Sequence, residues 1–299
     1  MLLLNKFRLL EKDDFGILSA IELRMKHHEY VPLEEMIKFS GLRSDEVTFR
    51  IRSLSRDRLL TKSTGDQQGY QGYSLTTFGY DALALRALVL SGAVEAIGKS
   101  LGVGKEADVY DALSPGGKRR AIKFHRLGRM SFRQTHRKRG YIADRPHISW
   151  QYQSRLSAEK EYSSLETLYA AGVSVPKPIA HNRHVLVMGL IEGTELKFAE
   201  LRGPKPILRE ILRNIKVAHQ KAGLIHSDLS EYNILMKPNG RLLIIDWPQS
   251  VSTDHPNAQD YLKRDVLNIL ACFRRKAGPE PDLDNVLAYV TGKSRTLIL

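Results

Sequence analysis

The segment HSDLSEYN, residues 226–233, followed at 242–247 by LLIIDW, decides how the chain is read. A carboxylate at Asp228 and an amide at Asn233, five residues on, set an oriented acceptor and a hard oxygen ligand on one tight loop. Thirteen residues past Asn233, Asp246 ends the apolar run LLII and precedes Trp247. An acid closing a buried strand is costly unless its charge meets a cation, and Mg2+ suits such oxygen donors. In this order the three residues point to phosphoryl transfer. Asp228 would orient or deprotonate the attacking oxygen, and Asn233 and Asp246 would ligate the metal.

Upstream, EAIGKSLGVGKEADVYDALSPGGKRRAIKF reads as strand, glycine-rich turn, strand, Pro-Gly-Gly turn, strand. Gly98, Gly102 and Gly104 between strands would let backbone N–H groups approach phosphates, because no Cβ stands in the way. Nineteen residues beyond Gly104, Lys123 closes Ala-Ile-Lys on a strand, where its ammonium can meet nucleotide phosphates. A carboxylate must hold such a lysine, and the helix SAEKEYSSLETL offers Glu161, with Glu159 as the alternative on another face. Each of these residues alone has a bland reading: a ligand-free hairpin, a solvated lysine, a surface glutamate. Their sequence is what favours the functional one.

The first 90 residues have a different pattern. FGILSAIELRM has helical apolar spacing, LEEMIKFSG closes on a glycine, and LRSDEVTFRIRSLSRDRLL restarts with Ser44 and Asp45 as N-cap candidates. LLTKSTGDQQGYQGYSLT adds two short strands around a polar tip, and TTFGYDALALRALVLSGAV a closing helix. Helix-turn-helix plus hairpin predicts a winged-helix domain over 1–91, leaving 92–299 for a second domain.

The net charge of +13 is unevenly placed. Residues 1–92 hold 13 Lys/Arg against 12 Asp/Glu, whereas 118–143 hold 10 Lys/Arg and no acid. With Phe132, His136 and Tyr141 interspersed, that stretch suits RNA backbone contact; the plainer reading is a solvated loop. Arg50, Arg52, Arg56 and Arg58 lie on or near the second helix of the helix-turn-helix, but near-neutrality weakens the case for duplex DNA. The single cysteine, Cys272, sits in the apolar run VLNILACF and reads as a buried hydrophobe, excluding an intrachain disulfide framework. No run is long enough to span a bilayer and the opening lacks a signal-peptide core, so a soluble, cytoplasmic protein is expected.

GKEADVY, GRMSFRQTHRKRGY, AEKEYSSL, HSDLSEYNIL and IDWPQS together resemble the RIO family of atypical protein kinases, in its winged-helix-bearing second subfamily, over nearly the whole chain. The resemblance implies an α+β fold: a two-lobed, protein-kinase-like domain preceded by a winged helix. It implies ATP and Mg2+, with Mn2+ as an alternative, bound by Lys123 and Glu161, by Gly98, Gly102, Gly104 and Lys105, and by Met188 and Ile191. It makes His226 a structural residue of the loop. It also implies that the metal-binding Asp246 can itself receive the phosphoryl group, that the chain acts as a serine/threonine kinase and ATPase with autophosphorylation, and that its partner is the small ribosomal subunit precursor with its rRNA. A monomer or weak oligomer is expected. With about 53 residues after Asp246 and no APE-type segment, a peptide substrate would be poorly held, and a minimal, archaeal-like version is expected. Two rivals remain: a small-molecule phosphotransferase, which shares the H-x-D-x-x-x-x-N loop, and a nucleic-acid-binding scaffold that senses ATP.

Overall fold

The computed structural model describes residues 6–63, 70–127, 150–190, 192–201, 203–278 and 281–299. The tip of the expected wing, most of the basic 118–143 stretch and Ile191 lie outside them.

In the N-terminal part α1 (Lys12–Arg24), α2 (Leu33–Ser40) and α3 (Ser44–Arg56) pack with a small antiparallel sheet. Its strands β1 (Val31–Pro32), β2 (Leu60–Lys62) and β3 (Gly72–Leu75) are ordered β1-β3-β2. Leu18, Ile21, Met36, Val47, Ile51 and Leu54 fill the core between helices and sheet. The winged-helix pattern is therefore present, with two corrections. Arg43, not Ser44 or Asp45, holds the N-cap position of α3 and makes no side-chain cap. The Asp45 carboxylate is drawn aside by Arg43 at 2.9 Å, and the Ser44 carbonyl accepts from Thr48 Oγ1 at 2.8 Å. Arg50 is the second: it is held by Asp14 at 3.0 Å, Glu11 at 2.9 Å, Asp13 at 3.5 Å and Glu46. Burial opposes its charge, but those carboxylates more than reverse that, so Arg50 braces α1 against α3 rather than facing a phosphate.

The closing helix α4 (Thr77–Leu90) belongs to two cores. Its first half packs Tyr80, Ala82 and Leu83 into the winged helix. Its second half packs Ala84, Leu85 and Leu88 against Val94, Ile122, Phe124, Val185 and Val187. A helix apolar on all sides is what such double duty requires. Thr76 caps it by accepting from Gly79 N–H at 3.3 Å, and a Cβ on Gly79 would come within 2.3 Å of the Leu59 carbonyl. Only glycine permits that approach.

Next comes a five-stranded antiparallel sheet of β4 (Ala96–Val103), β5 (Ala107–Leu113), β6 (Arg119–His125), β7 (Pro178–Asn182) and β8 (Val185–Gly189), in the order β4-β5-β6-β8-β7. The long helix α5 (Trp150–Ala170) packs on it. Gly98 and Gly102 lie inside β4 rather than in a turn. Register shifts on either side of Ser100 let the strand run on through the glycines, and the turn is confined to 104–106.

Alternation gives β6 two jobs. Ile122, Phe124 and Arg126 face α4, where Arg126 meets Asp81 at 2.8 Å through Nη2 and Asp108 at 3.1 Å, all three buried. His184 Nε2 lies 2.7 Å from the same Asp81, and its ring stacks on Tyr80 at 4.7 Å. Ala121, Lys123 and His125 take the opposite face.

The rest is mainly helical: α6 (Pro204–Gln220), α7 (Ala258–Ala277) and α8 (Leu283–Thr291). Two small sheets accompany them, β10 (Leu224–Ile225) with β13 (Val251–Ser252), and β9 (Thr194–Glu195), β11 (Ile234–Met236) and β12 (Leu242–Ile244) in the order β12-β11-β9. Leu208, Ile211, Leu212, Trp247, Val266 and Ile269 centre this core, and Cys272 is buried within it as a free thiol. No helix among the described residues is long and apolar enough to cross a membrane.

Candidate active site

Lys123 is the hub. Its Nζ donates to both oxygens of Glu161, at 2.8 and 2.7 Å, and to Asp246 Oδ1 at 2.7 Å. Strand β6, helix α5 and the segment after β12 thus meet on one ammonium. Glu161 is 1% exposed, while Glu159, two positions earlier on α5, faces solvent, so the helix itself chooses between the two candidates. Burial alone would push Lys123 down and Glu161 up. Their mutual attraction, with Asp246 beside Lys123 and His125 beside Glu161, reverses both: Lys123 is held above its ordinary value and Glu161 at about 2.

That shift makes a prediction. The folded value for Glu161 lies below its ordinary 4.5, so the pair contributes stability above about pH 4.5 and loses it as the pH falls toward about 2. The difference in melting temperature between this protein and Glu161→Gln should narrow across that window. A difference that stays constant down to about pH 3 would contradict it.

The loop 226–233 is held from behind. Asp265 on α7, 1% exposed, accepts from Ser227 N–H at 2.8 Å and from Leu229 N–H at 2.9 Å, bracketing Asp228. Burial pushes the Asp265 carboxyl up despite those two bonds. Arg264 donates to the Ser227 carbonyl and Asn268 to that of Leu229, at 3.0 Å for the latter. Ser227, with φ 64°, takes the left-handed conformation that the tight turn needs. Asp228 itself is exposed. His226 donates from Nε2 to the Ile245 carbonyl at 2.9 Å and lies 4.5 Å from the Trp247 ring, which is structural work.

Pairing of Ile234 with Ile244 in the β11–β12 hairpin brings Asn233 opposite Ile245, the residue before Asp246, and Ile245 N–H donates to the Asn233 carbonyl at 2.9 Å. Asn233 Nδ2 reaches the Asp228 carbonyl at 3.4 Å and Ser230 Oγ donates to Asn233 Oδ1 at 3.1 Å. The sequence reading places Asp246 at the end of a buried strand. In fact β12 stops at Ile244, and Asp246 follows with φ 69° and a side chain 48% exposed. The acid is not trapped in the interior; it sits on the rim, with Lys123 as its partner.

Across the sheet, Gly102 pairs with Val109, Val109 with Lys123, and Lys123 with Leu186, so the four form one row. Among the described residues a Cβ at Gly102 would meet no atom within 4 Å, so their packing does not require the glycine. Met188 pairs with Ala121 and is part of the core. Lys105 is exposed in the turn after β4. Val109 and Ala121, which share the face of Lys123, escaped the sequence reading, as did His125 and Asp265. Alternation in RRAIKFH and an acid on the apolar stripe of α7 were the available signals.

Comparison with known proteins accords with this geometry. The RIO domain family matches residues 108–286, and the family described as Rio2, N-terminal, matches 7–91. A RIO-type serine/threonine-protein kinase Rio2 from Methanocaldococcus jannaschii is 42% identical over 277 residues, covering 89% of this chain and 100% of its own. Serine/threonine-protein kinase rio2 from Schizosaccharomyces pombe is 39% identical over 283 residues, covering 94% and 81% respectively. A crystal structure of the Rio2 kinase-ADP/Mg2+-phosphoaspartate complex from Chaetomium thermophilum superimposes with a TM-score of 0.79 at 35% identity, covering 96% of this chain and 88% of that one. The chain belongs to the RIO family of atypical serine/threonine protein kinases, in the branch that carries the Rio2 N-terminal domain.

Proposed function

We propose that this chain transfers the γ-phosphoryl group of ATP, as a serine/threonine kinase and ATPase serving maturation of the small ribosomal subunit in the cytoplasm. The observation that carries the catalytic part is the bridge from Lys123 to Glu161 and Asp246, because an ammonium held between a buried and a half-exposed carboxylate is poised to meet phosphates. The ribosomal part rests on kinship with Rio2 and on the net charge of +13, concentrated in 118–143. In this reading residues 1–91 form the winged helix and 92–299 the catalytic domain, working as a monomer or weak oligomer.

Glu161 fixes Lys123, and Lys123 contacts the nucleotide phosphates. Gly102 and its neighbours Gly98 and Gly104 leave room for the phosphate chain, while Val109, Ala121 and Met188 give the base an apolar wall. Asp228, held outward by Asp265, orients the acceptor and takes its proton when that acceptor is a hydroxyl. Asn233 and Asp246 would hold Mg2+, or Mn2+. Asn233 just precedes β11 and Asp246 just follows β12, and two such oxygen donors would suit an ion that draws its remaining donors from phosphates and water. Bound there, the metal would neutralise charge developing on the transferring group.

With Asp246 as acceptor, its carboxylate oxygen bonds to the γ-phosphorus as the bond to the ADP oxygen breaks. Water then cleaves the acyl phosphate to inorganic phosphate and free Asp246. Incubation with ATP labelled at the γ-phosphate should leave hydroxylamine-labile label on the protein, and none on Asp246→Asn. Equal label on both would overturn this step.

A further inference from the structure

Glu161 can hold Lys123 only while something holds Glu161, and on the catalytic side of β6 that duty falls to a residue with no part in the mechanism above. We infer that His125 is a positioning residue that braces Glu161 for the catalytic lysine. The inference rests on the reading of Lys123 and Glu161 as the nucleotide-binding pair.

His125 and Lys123 lie two apart on β6 and so share a face. Ser157 and Glu161 lie four apart on α5 and so share one too. The imidazole spans the two elements. Its Nδ1 is 3.1 Å from Ser157 Oγ and its Nε2 is 3.0 Å from Glu161 Oε2, the same oxygen that receives Lys123 at 2.7 Å. The 3.0 Å approach at Nε2 falls outside hydrogen-bond geometry as the side chains stand, and among the described residues that nitrogen makes no hydrogen bond, so Glu161 Oε2 is the acceptor within reach of a small turn of the ring. A bare nitrogen lone pair facing a carboxylate oxygen would be repelled, so Nε2 carries the proton and Nδ1 accepts from the Ser157 hydroxyl. Burial, outweighing the pull of Glu161, pushes the ring's value down and so disfavours a charge on it. A neutral donor steadies Glu161 without adding a second cation to compete with Lys123 for it.

The strand is itself anchored at this point. His125 N–H donates to the His184 carbonyl at 2.9 Å, and the next residue, Arg126, is locked to Asp81 of α4. His125 thus starts from a fixed backbone, which is what a brace needs.

The test uses two amides that each reproduce one end of the imidazole. In His125→Gln the terminal amide extends to about where Nε2 stood and can still donate to Glu161. In His125→Asn it stops near Nδ1 and serves Ser157 only. In the full chain, KM for ATP and kcat per folded protein should stay within about threefold of the unsubstituted protein for Gln, whereas KM should rise about tenfold for Asn. A purely structural role would lower the folded fraction in both and leave KM unchanged. Equal behaviour of the two variants in KM would overturn the inference, and so would recovery by Asn but not Gln. Should either variant fail to fold, the imidazole nitrogen shifts of the unsubstituted protein decide instead: a protonated Nδ1 with a bare Nε2 overturns it. If the unsubstituted protein neither binds nor hydrolyses ATP, the parent reading fails; if it does both and the variants match each other, only the role of His125 fails.

Discussion

Asp228→Asn is expected to lower ATP turnover by about 10²–10⁴-fold while nucleotide affinity stays within about threefold. The size of the loss follows from the role: an amide can still accept a hydrogen bond but cannot take a proton from the attacking oxygen. The small effect on binding follows from position, because Lys123, Glu161 and Asp246 are linked to one another and not to the Asp228 carboxylate. Folding should be unaffected, since Asp228 is exposed and the loop is held through the backbone of its neighbours by Asp265. Single-turnover hydrolysis and equilibrium nucleotide binding measure the two quantities separately. Equal turnover by both proteins would remove Asp228 from the chemistry and favour a scaffold that only senses ATP.

The meeting of Lys123 with Glu161 and Asp246 could be anticipated from the chain because each stands in or just after a short segment with a plain local pattern: a strand, a helix, and the residue two beyond a strand. What could not be read is what those segments are fastened to. Asp265 looks like one more charge in AQDYLKRDVLNIL, although it falls on the stripe that also carries Leu262, Val266 and Ile269. Asp81 stands among apolar residues in GYDALALRALVL, and its partners Arg126 and His184 are 45 and 103 positions away, so no window of sequence shows the cluster. The partners of Arg50, grouped by sequence with Arg52, Arg56 and Arg58, were hidden for the same reason. Asp14 is 36 residues earlier, and only the packing of α1 on α3 brings it to 3.0 Å. Charge counted along a chain says nothing of charge already neutralised across it.

Lys123→Met is expected to cost about 3–5 kcal/mol in folding stability and to lower turnover by about 10²–10³-fold. Methionine fills a similar volume, so the loss is electrostatic: Glu161, 1% exposed, is left as a buried carboxylate with His125 beside it and, among the described residues, no Lys or Arg partner. Asp246 suffers less, because its half-exposed side chain can turn to water. This asymmetry separates structure from catalysis. Adding Glu161→Gln to Lys123→Met removes the orphaned charge, so the double variant should regain more than half of the lost stability while turnover stays at the level of the single variant. Denaturant midpoints and single-turnover rates on the two proteins give the answer. A double variant no more stable than Lys123→Met would mean that the ammonium holds this region by packing, and that its pairing with Glu161 contributes little to the fold.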